Sequence, residues 1–293
     1  MTLGPMLSIV IVNWKTCEPL RSCLASIEQN PPHTPYEVIV VDNDSNDGSA
    51  EMVSSYFSWV KLICPGSNIG YACGNNLGIS NASGQFVLTL NPDTVFEDAS
   101  IESALDSLRE NKSFGALSIK LLSKNEETQS SVRGFPTIVN VFAAWVKLDK
   151  LFPASILGSY SLPCFDYQST GPAPQPMGTF LLFRREALET VGDPGRPFDE
   201  RFPIFFNEVD LLYRMSKAGW PCMYLHSAHV VHLHGASTRQ VRKSMIWESH
   251  KSLLRYFDKH VKGGLRLALP FVSAVVLVHA LIKARGYDPG FRP

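Results

Sequence analysis

Short apolar runs alternate with amphipathic stretches through the first 115 residues, and the period of the hydrophobic positions sorts them into strands and helices. Leu7 to Val12 and Tyr36 to Val41 are β-rich runs. Between them, Glu18 to Glu28 spaces Leu20, Cys23, Leu24 and Ile27 along one face of a helix. Asp47-Gly48-Ser49 opens a second helix through Tyr56, with Ser45 or Asp47 as its cap. A short strand at Val60 to Cys64, a helix at Gly70 to Asn81, a strand at Phe86 to Leu90 and a helix from Ala99 to Asn111 complete the series. Strands separated by helices predict a parallel sheet with right-handed crossovers.

The pattern loosens afterwards. Ser123 to Thr137 is polar and loop-like, and Pro153 to Pro176 is rich in Pro, Gly and Ser with no period. Long loops of this kind in a compact enzyme face substrate or move. Gly178 to Phe183 reads as a strand, Arg184 to Val191 as a helix, and Glu208 to Ala218 as a helix stopped by Gly219. Met223 to Leu225 and His229 to Val231 read as two short β segments. Near the end, Leu267 to Ile282 is almost wholly apolar and flanked by Arg266, Lys283 and Arg285. At about 16 residues it is short for a bilayer span of about 20. A core helix and a helix lying at a membrane surface both fit, the second through residues 262–286.

The most informative single stretch is Phe86-Val-Leu-Thr-Leu-Asn91-Pro92-Asp93. The apolar run is a buried strand, and Asn-Pro ends it, because proline cannot donate to a sheet ladder and restrains its predecessor. Asp93 and Asn91 are thereby left at the carboxyl end of a strand, where ligands bind in open α/β sheets. Oxygen ligands there suit Mg²⁺ or Mn²⁺ when substrate phosphates complete the shell. A plain turn capping the next helix fits the same residues. Asn13 and Asp42 also lie at strand ends. Gly70 and Gly74 permit either close approach of a ligand or tight helix packing. Glu208 and Asp210 stand at a helix entrance, as caps or as chemistry. Phe205 and Phe206 supply apolar surroundings that lift a carboxylate towards a general base's range.

Composition narrows the classes. Apolar residues make up 45% and charged residues 18%, and 27 basic residues balance 27 acidic ones. That speaks for a folded enzyme and against a nucleic-acid binder driven by bulk positive charge. Six cysteines form no Cys-x-x-Cys pair, and no charged-then-apolar leader precedes the first strand, so free thiols in a reducing cytoplasm are expected. Gly-x-Gly-x-x-Gly does not follow the first strand, and Gly-x-x-x-x-Gly-Lys-Ser/Thr is absent from the chain. A metal at Asp93 is then the natural holder of a diphosphate.

Taken in order, the pieces are Val12-Asn-Trp, Val40-Val-Asp-Asn, Asn68-Ile-Gly-Tyr-Ala-x-Gly-Asn-Asn, Leu90-Asn-Pro-Asp and Gly178-Thr-x-Leu-Leu-Phe-Arg-Arg. Phe198-Asp-Glu-x-Phe, Asn207-Glu-Val-Asp-Leu and Val231-His-x-x-Gly-Ala-Ser follow. The set resembles family 2 glycosyltransferases, most of all their bacterial rhamnosyltransferase-like branch. The resemblance covers Ser8 to Ser237, roughly three quarters of the chain. It implies a GT-A fold, a nucleotide-sugar donor, a divalent metal and inversion at the anomeric carbon. It implies Asp42 at the base, Asn13, Asn68 and Gly70 around the donor, and Asp93 as the acid of an Asp-x-Asp-like motif whose first member is Asn91 here. Glu208 stands where the family carries a catalytic aspartate, and a longer arm shifts that geometry. His232 matches a histidine that approaches metal or diphosphate. Gly178, Thr179, Asp210 and Arg239 would line the acceptor side or support the site from behind. Arg239, Arg242 and Lys243 fit closure over the diphosphate, a solvated basic loop, or contact with anionic lipid.

The expectation is therefore an α/β GT-A enzyme in three parts. A Rossmann-like nucleotide-sugar half with a mostly parallel central sheet spans 1–115, an acceptor and catalytic half 116–240, and a helical extension 241–293. It would use Mg²⁺ or Mn²⁺ to move a sugar, rhamnose from dTDP-rhamnose or a hexose from a UDP donor, to a glycan or lipid-linked saccharide in cell-surface polysaccharide synthesis. Its place would be the cytoplasm or the inner membrane face. A sugar nucleotidyltransferase would need a glycine-rich basic loop after the first strand, which Asn13-Trp-Lys-Thr16 lacks. An inactive glycan-binding relative is the other alternative, since Asn91 and Asn207 replace family carboxylates.

Overall fold

The computed structural model describes residues 4–233 and 242–285; Arg239 and the Gly235-Ala-Ser237 motif lie outside them. The first half runs β1 (Leu7–Asn13), α1 (Cys17–Gln29), β2 (Tyr36–Asp42), α2 (Ser49–Tyr56), β3 (Lys61–Ile63), α3 (Tyr71–Ser80), β4 (Phe86–Leu90), β5 (Thr94–Val95) and α4 (Ser100–Glu110). Next come β6 (Ala116–Leu122), β7 (Val132–Arg133), α5 (Ile138–Trp145), α6 (Leu148–Leu151), β8 (Gly171–Pro172), β9 (Gln175–Pro176), β10 (Phe180–Arg184), α7 (Arg185–Glu189), α8 (Asn207–Lys217) and β11 (Cys222–His232). α9 (Arg242–His260), a 3₁₀ stretch (Gly263–Ala268) and α10 (Leu269–Arg285) follow.

A single nine-stranded sheet, β3-β2-β1-β4-β10-β6-β11-β5 with β8 beside β11, runs through both halves. β1 pairs in parallel with β2 and β4, so the chain winds outward through β2 and β3 and then returns to the other side of β1. The direction of winding reverses between β1 and β4, which opens a crevice at their carboxyl ends. Asn13, Asp42 and the Asn91–Asp93 corner all lie at that edge, with Asn13 opposite Asp42 in the ladder.

Alternation decides which helix covers which face. Leu7, Ile9 and Ile11 join Leu20, Leu24 and Ile27 of α1 and Ile101, Leu105 and Leu108 of α4 in one core. Val10 points the other way, into a core with α3, α7 and α8. Close packing there depends on glycine: a Cβ on Gly78 would stand 2.3 Å from Val10 Cγ1, and one on Gly74 2.8 Å from Val12 Cγ1. A third core joins Val141 of α5 and Val209 of α8 to Leu253, Tyr256 and Phe257 of α9 and Val272 and Val276 of α10.

Three features depart from the sequence reading. β10 lies antiparallel between β4 and β6, a direction its own pattern does not give, within a sheet that is mostly parallel as expected. The hydrophobic pattern of a short strand buried on both faces carries no direction. The two segments at 223–225 and 229–231 are one strand, β11, with a register shift between Leu225 and His229. Its polar His226-Ser227 reads as a break, but side chains serve the bulge: Thr170 Oγ1 accepts from the His226 N–H and Ser100 Oγ from that of His229. β6 and α5 were not anticipated. α5 starts in a capping box, with Thr137 Oγ1 accepting from the Asn140 N–H and Asn140 Oδ1 from the Thr137 N–H. The six cysteines are free thiols, Cys23 and Cys222 buried.

Candidate active site

At the β1 and β2 ends the polar residues are tied together. Asn13 Nδ2 donates to Asp42 Oδ1 at 2.7 Å and to Ser45 Oγ at 3.0 Å, while Thr16 Oγ1 donates to Asn13 Oδ1 at 2.6 Å. Ser45 closes the ring, its hydroxyl on Asp42 Oδ1 at 2.5 Å and its N–H on Oδ2 at 3.2 Å. The Asp42 carboxylate is thus held rigidly at a strand end, 5% exposed. Asn68 is an exposed loop residue whose Oδ1 accepts from the Gly70 N–H at 3.0 Å. Gly70 has φ +85°, a conformation only glycine takes without strain, and a Cβ there would meet the Pro203 carbonyl at 3.1 Å. That carbonyl accepts from the Tyr71 N–H at 2.6 Å, joining the start of α3 to the loop before α8.

Tyr71 links the two halves of the cleft. Its hydroxyl donates to Asn91 Oδ1 at 3.0 Å and lies 3.4 Å from the Gly178 carbonyl, while the Asn91 N–H donates to the Thr179 carbonyl at 2.9 Å. Burial pushes the phenol pKa up, and the nearby Glu208 and Asp93 carboxyls push it further. Tyr71 therefore sits within electrostatic reach of both.

Glu208 occupies the first turn of α8. Burial pushes its carboxyl up from 4.5 to about 7, against the smaller pull of its own N–H and that of Val209. The residue is not sealed, and keeps intermediate exposure. Its room comes from Gly178, where a Cβ would already touch Glu208 Cγ at 3.4 Å. The preceding Phe206 adopts φ +65°, an unfavourable conformation for a bulky residue. Strain of this kind collects at functional sites. Two buried oxygens here, Thr179 Oγ1 and Asn207 Oδ1, have no hydrogen-bond partner among the described residues. Asp210 does not join them. It lies under the helix, fully buried, accepting from Arg214 Nε at 2.7 Å, Lys259 Nζ at 2.6 Å and His260 Nε2 at 2.7 Å.

Across the cleft, His232 at the end of β11 pairs with Thr94 in the ladder and so stands beside Asp93. Its Nε2 is 3.5 Å from Asp93 Oδ1, and its Nδ1 donates to Gln129 Oε1 at 3.1 Å. In the neutral ring that bond puts the proton on Nδ1 and turns the unprotonated Nε2 towards the carboxylate. A carboxylate oxygen and an imidazole nitrogen turned towards one point fit a divalent cation. No group of three or more His, Cys, Asp and Glu is assembled for a metal among the described residues. Two protein ligands with the remainder from a diphosphate is how Mg²⁺-type sites on nucleotides are built.

The profile of glycosyl transferase family 2 matches residues 8–192. The chain belongs to that family. This glycosyltransferase is 27% identical over 297 residues to N-acetylglucosaminyl-diphospho-decaprenol L-rhamnosyltransferase of Mycobacterium tuberculosis, covering 95% of this chain and 94% of that protein. It is 23% identical to rhamnosyltransferase WbbL of Escherichia coli, covering 87% of this chain and 93% of the relative. Its fold matches mannosyltransferase PcManGT of Pyrobaculum calidifontis, solved with GDP-Man and Mn²⁺, at a TM-score of 0.58 and 17% identity, covering 98% of this chain and 77% of that one. S. aureus TarS matches at 0.54 and 16% identity, covering 95% and 80%. The glycosyltransferase thus has the GT-A fold expected of it.

Tyr71 and Gln129 were not singled out from sequence. Tyr71 lies within the Asn68–Asn76 motif, and its aromatic ring among glycines and asparagines is the available signal. Gln129 belongs to a polar loop, and only tertiary structure brings it to His232.

Proposed function

We propose that this glycosyltransferase moves L-rhamnose from dTDP-rhamnose to a hydroxyl of a lipid-diphosphate-linked saccharide, inverting the anomeric carbon, at the cytoplasmic face of the membrane. The observation that carries the chemistry is the Glu208 carboxyl, seated against Gly178 and lifted by burial to about 7, with the Tyr71 hydroxyl bridging Gly178 to Asn91. The choice of rhamnose and of a lipid-linked acceptor rests on relatives matched along nearly their whole length.

Glu208 takes the proton of the acceptor hydroxyl as its oxygen attacks the anomeric carbon from the face opposite the diphosphate. The new C–O bond forms as the bond to the diphosphate oxygen breaks, and the electron pair leaves with the nucleotide. Asp93 and His232 would hold Mg²⁺ or Mn²⁺, which supplies positive charge to the leaving diphosphate. Asp42, fixed by Asn13 and Ser45, offers its Oδ2 to a base N–H, and Asn68 and Gly70 border the nucleoside. Asp210 acts by fixing the turn that carries Glu208. Tyr71 holds Asn91 and Gly178 at a constant separation.

The test is transfer by the purified protein to an alkyl-diphospho-N-acetylglucosamine acceptor, with and without Mn²⁺. The donors are dTDP-rhamnose, UDP-glucose, UDP-galactose and UDP-N-acetylglucosamine. Product from dTDP-rhamnose, with the anomeric centre inverted by NMR, is expected. Turnover of a UDP-hexose with none of dTDP-rhamnose would overturn the donor assignment.

A further inference from the structure

Two stretches of chain leave apolar side chains in solvent beside one seam. α10 is apolar round its whole circumference, a pattern that means enclosure or lipid. With the 3₁₀ stretch before it the helical run 263–285 is 23 residues, longer than the sequence pattern implies and long enough to span a bilayer. Yet only 17% of its most apolar stretch is buried. Val272, Val276 and Ala280 form its buried stripe. Phe271, Val278, Leu281 and Ile282 lie about half a turn away on a 3.6-residue helix and are exposed. Leu267, in the 3₁₀ stretch before it, is 88% exposed. The second stretch runs from the end of α5 past α6, where Val146, Leu151, Phe152 and Ile156 are exposed. Trp145, the last residue of α5, stacks on His279 of α10 with ring centroids 3.9 Å apart and planes 9° from parallel. Val146 and Val278, their chain neighbours, therefore flank one contact.

Along these two stretches the exposed charge has one sign. Between 138 and 160 and between 261 and 285 the cations are Lys147, Lys150, Lys262, Arg266, Lys283 and Arg285, and the sole acid, Asp149, is buried. Arg266 reaches back to Asp258, just outside the second stretch.

We propose that the α5–α6 edge and the outer face of α10 form one two-part docking surface for an anionic lipid bilayer. The apolar side chains enter the acyl boundary, and the lysines and arginines meet phosphate headgroups. α10 lies on the bilayer rather than across it, since spanning would tear His279 from Trp145 and from His250 Nε2, 2.8 Å away. A second copy of the chain is a poor occupant, because two-fold pairing would bring cations against cations. The inference deepens the lipid-linked acceptor reading and rests on it for its purpose, not for its geometry.

The test is flotation of the full chain with vesicles of phosphatidylcholine containing about a third phosphatidylglycerol, against phosphatidylcholine alone. One variant combines Leu151→Ser with Phe152→Ser, another Leu267→Ser with Phe271→Ser. Each is expected to lower the bound fraction about tenfold, since each withdraws two apolar side chains. Binding should weaken in high salt and without the anionic lipid. Lys147→Glu with Lys150→Glu touches no packed side chain and keeps the test open if an apolar variant misfolds; it should weaken binding to the anionic vesicles alone. Wild-type binding by the Leu151/Phe152 variant, indifference to lipid charge, resistance to carbonate extraction, or a soluble dimer by light scattering would each overturn the proposal. Transfer to a water-soluble short-chain acceptor separates the two readings. If it persists without vesicle binding, only the docking surface fails. If it is absent while vesicle binding follows expectation, only the transferase reading fails.

Discussion

Replacing Glu208 by glutamine removes a proton acceptor while keeping the length of the side chain, and the structure sets opposite signs for its effects on rate and stability. The carboxyl titrates near 7 in the fold against 4.5 as a free side chain, because burial favours the neutral form. Between those values the folded protein binds a proton that the unfolded chain has lost, so stability falls as pH rises from about 4.5 through 7. The full shift is worth about 3 kcal/mol, nearer 2 because solvent still reaches part of the residue. Glu208→Gln carries no charge to bury. It should melt higher than wild type at pH 8, by about 4 °C or more for a chain of this size, and no higher at pH 4.5. Its kcat should drop by about 10² to 10⁴, the usual worth of a general base, with donor affinity unchanged. Wild-type kcat/KM should rise about tenfold per pH unit below 7 and flatten above it, and the variant should lose that rise. Stopped transfer assays and scanning calorimetry at the two pH values read both effects. A variant retaining a third of wild-type kcat, or melting alike relative to wild type at both pH values, would refute the assignment.

Asp93→Asn should abolish the Mn²⁺-dependent part of the melting shift given by a nucleoside diphosphate, which for wild type at a hundredfold excess over Kd is about 2.7 kcal/mol; chelation should do the same. Tyr71→Phe removes the hydroxyl shared by Asn91 and Gly178, and should cost about 1 kcal/mol by denaturant melt and more in kcat than in KM. Gly78→Ala drives a methyl to 2.3 Å from Val10 Cγ1 in a filled core and should destabilise by about 1–3 kcal/mol with site chemistry intact in the folded fraction. Burial, with help from His250 and Lys283, pulls the His279 pKa down from 6.5 to about 4. The unfolded chain then binds the extra proton between those values, so stability should fall by about 1–2 kcal/mol, after allowance for solvent screening, as pH drops from 6.5 to 4. His279→Phe should flatten that segment of the melting curve.

The first half was legible because each strand and helix there declares its own period and ends on its own stop. Phe86 to Leu90 could only be a buried strand, and Asn91-Pro92 could only end it. What sequence lacked was direction and distance. β10 looks the same run either way, and its antiparallel placement brings Gly178 from the second half against Glu208 and Tyr71. Gly70 and Gly74 leave ligand approach and packing equally open in the sequence; the structure packs Gly74, along with Gly78, against Val12 and Val10, and Gly70 against Pro203. By local sequence Glu208 and Asp210 are two acids in one helical turn, and only the family resemblance gives them different roles. Two residues apart on a helix they face opposite sides, so one meets a cleft and the other an ionic cluster.

That cluster gives Asp210 its meaning. Burial alone would raise its pKa, but His260, Arg214 and Lys259 together pull it below the usual carboxylate value. Lys259 also bonds Asp199 at 2.7 Å, and Arg214 Nη2 donates to the Pro197 carbonyl at 2.7 Å. Such a buried group adds little net stability over an apolar equivalent, since the desolvation of its charges offsets their attraction. It does penalise any slip of α9 along α8, because every displaced partner would be left charged and unpaired. α9 is the helix on which α10 packs, and α8 is the helix whose first turn holds Glu208. The proposed lipid-facing surface and the proposed base are thus keyed to each other through one turn of helix. A chain docked by α10 then presents its cleft at a set height above the bilayer, the condition for meeting an acceptor whose reach is fixed by its own lipid anchor.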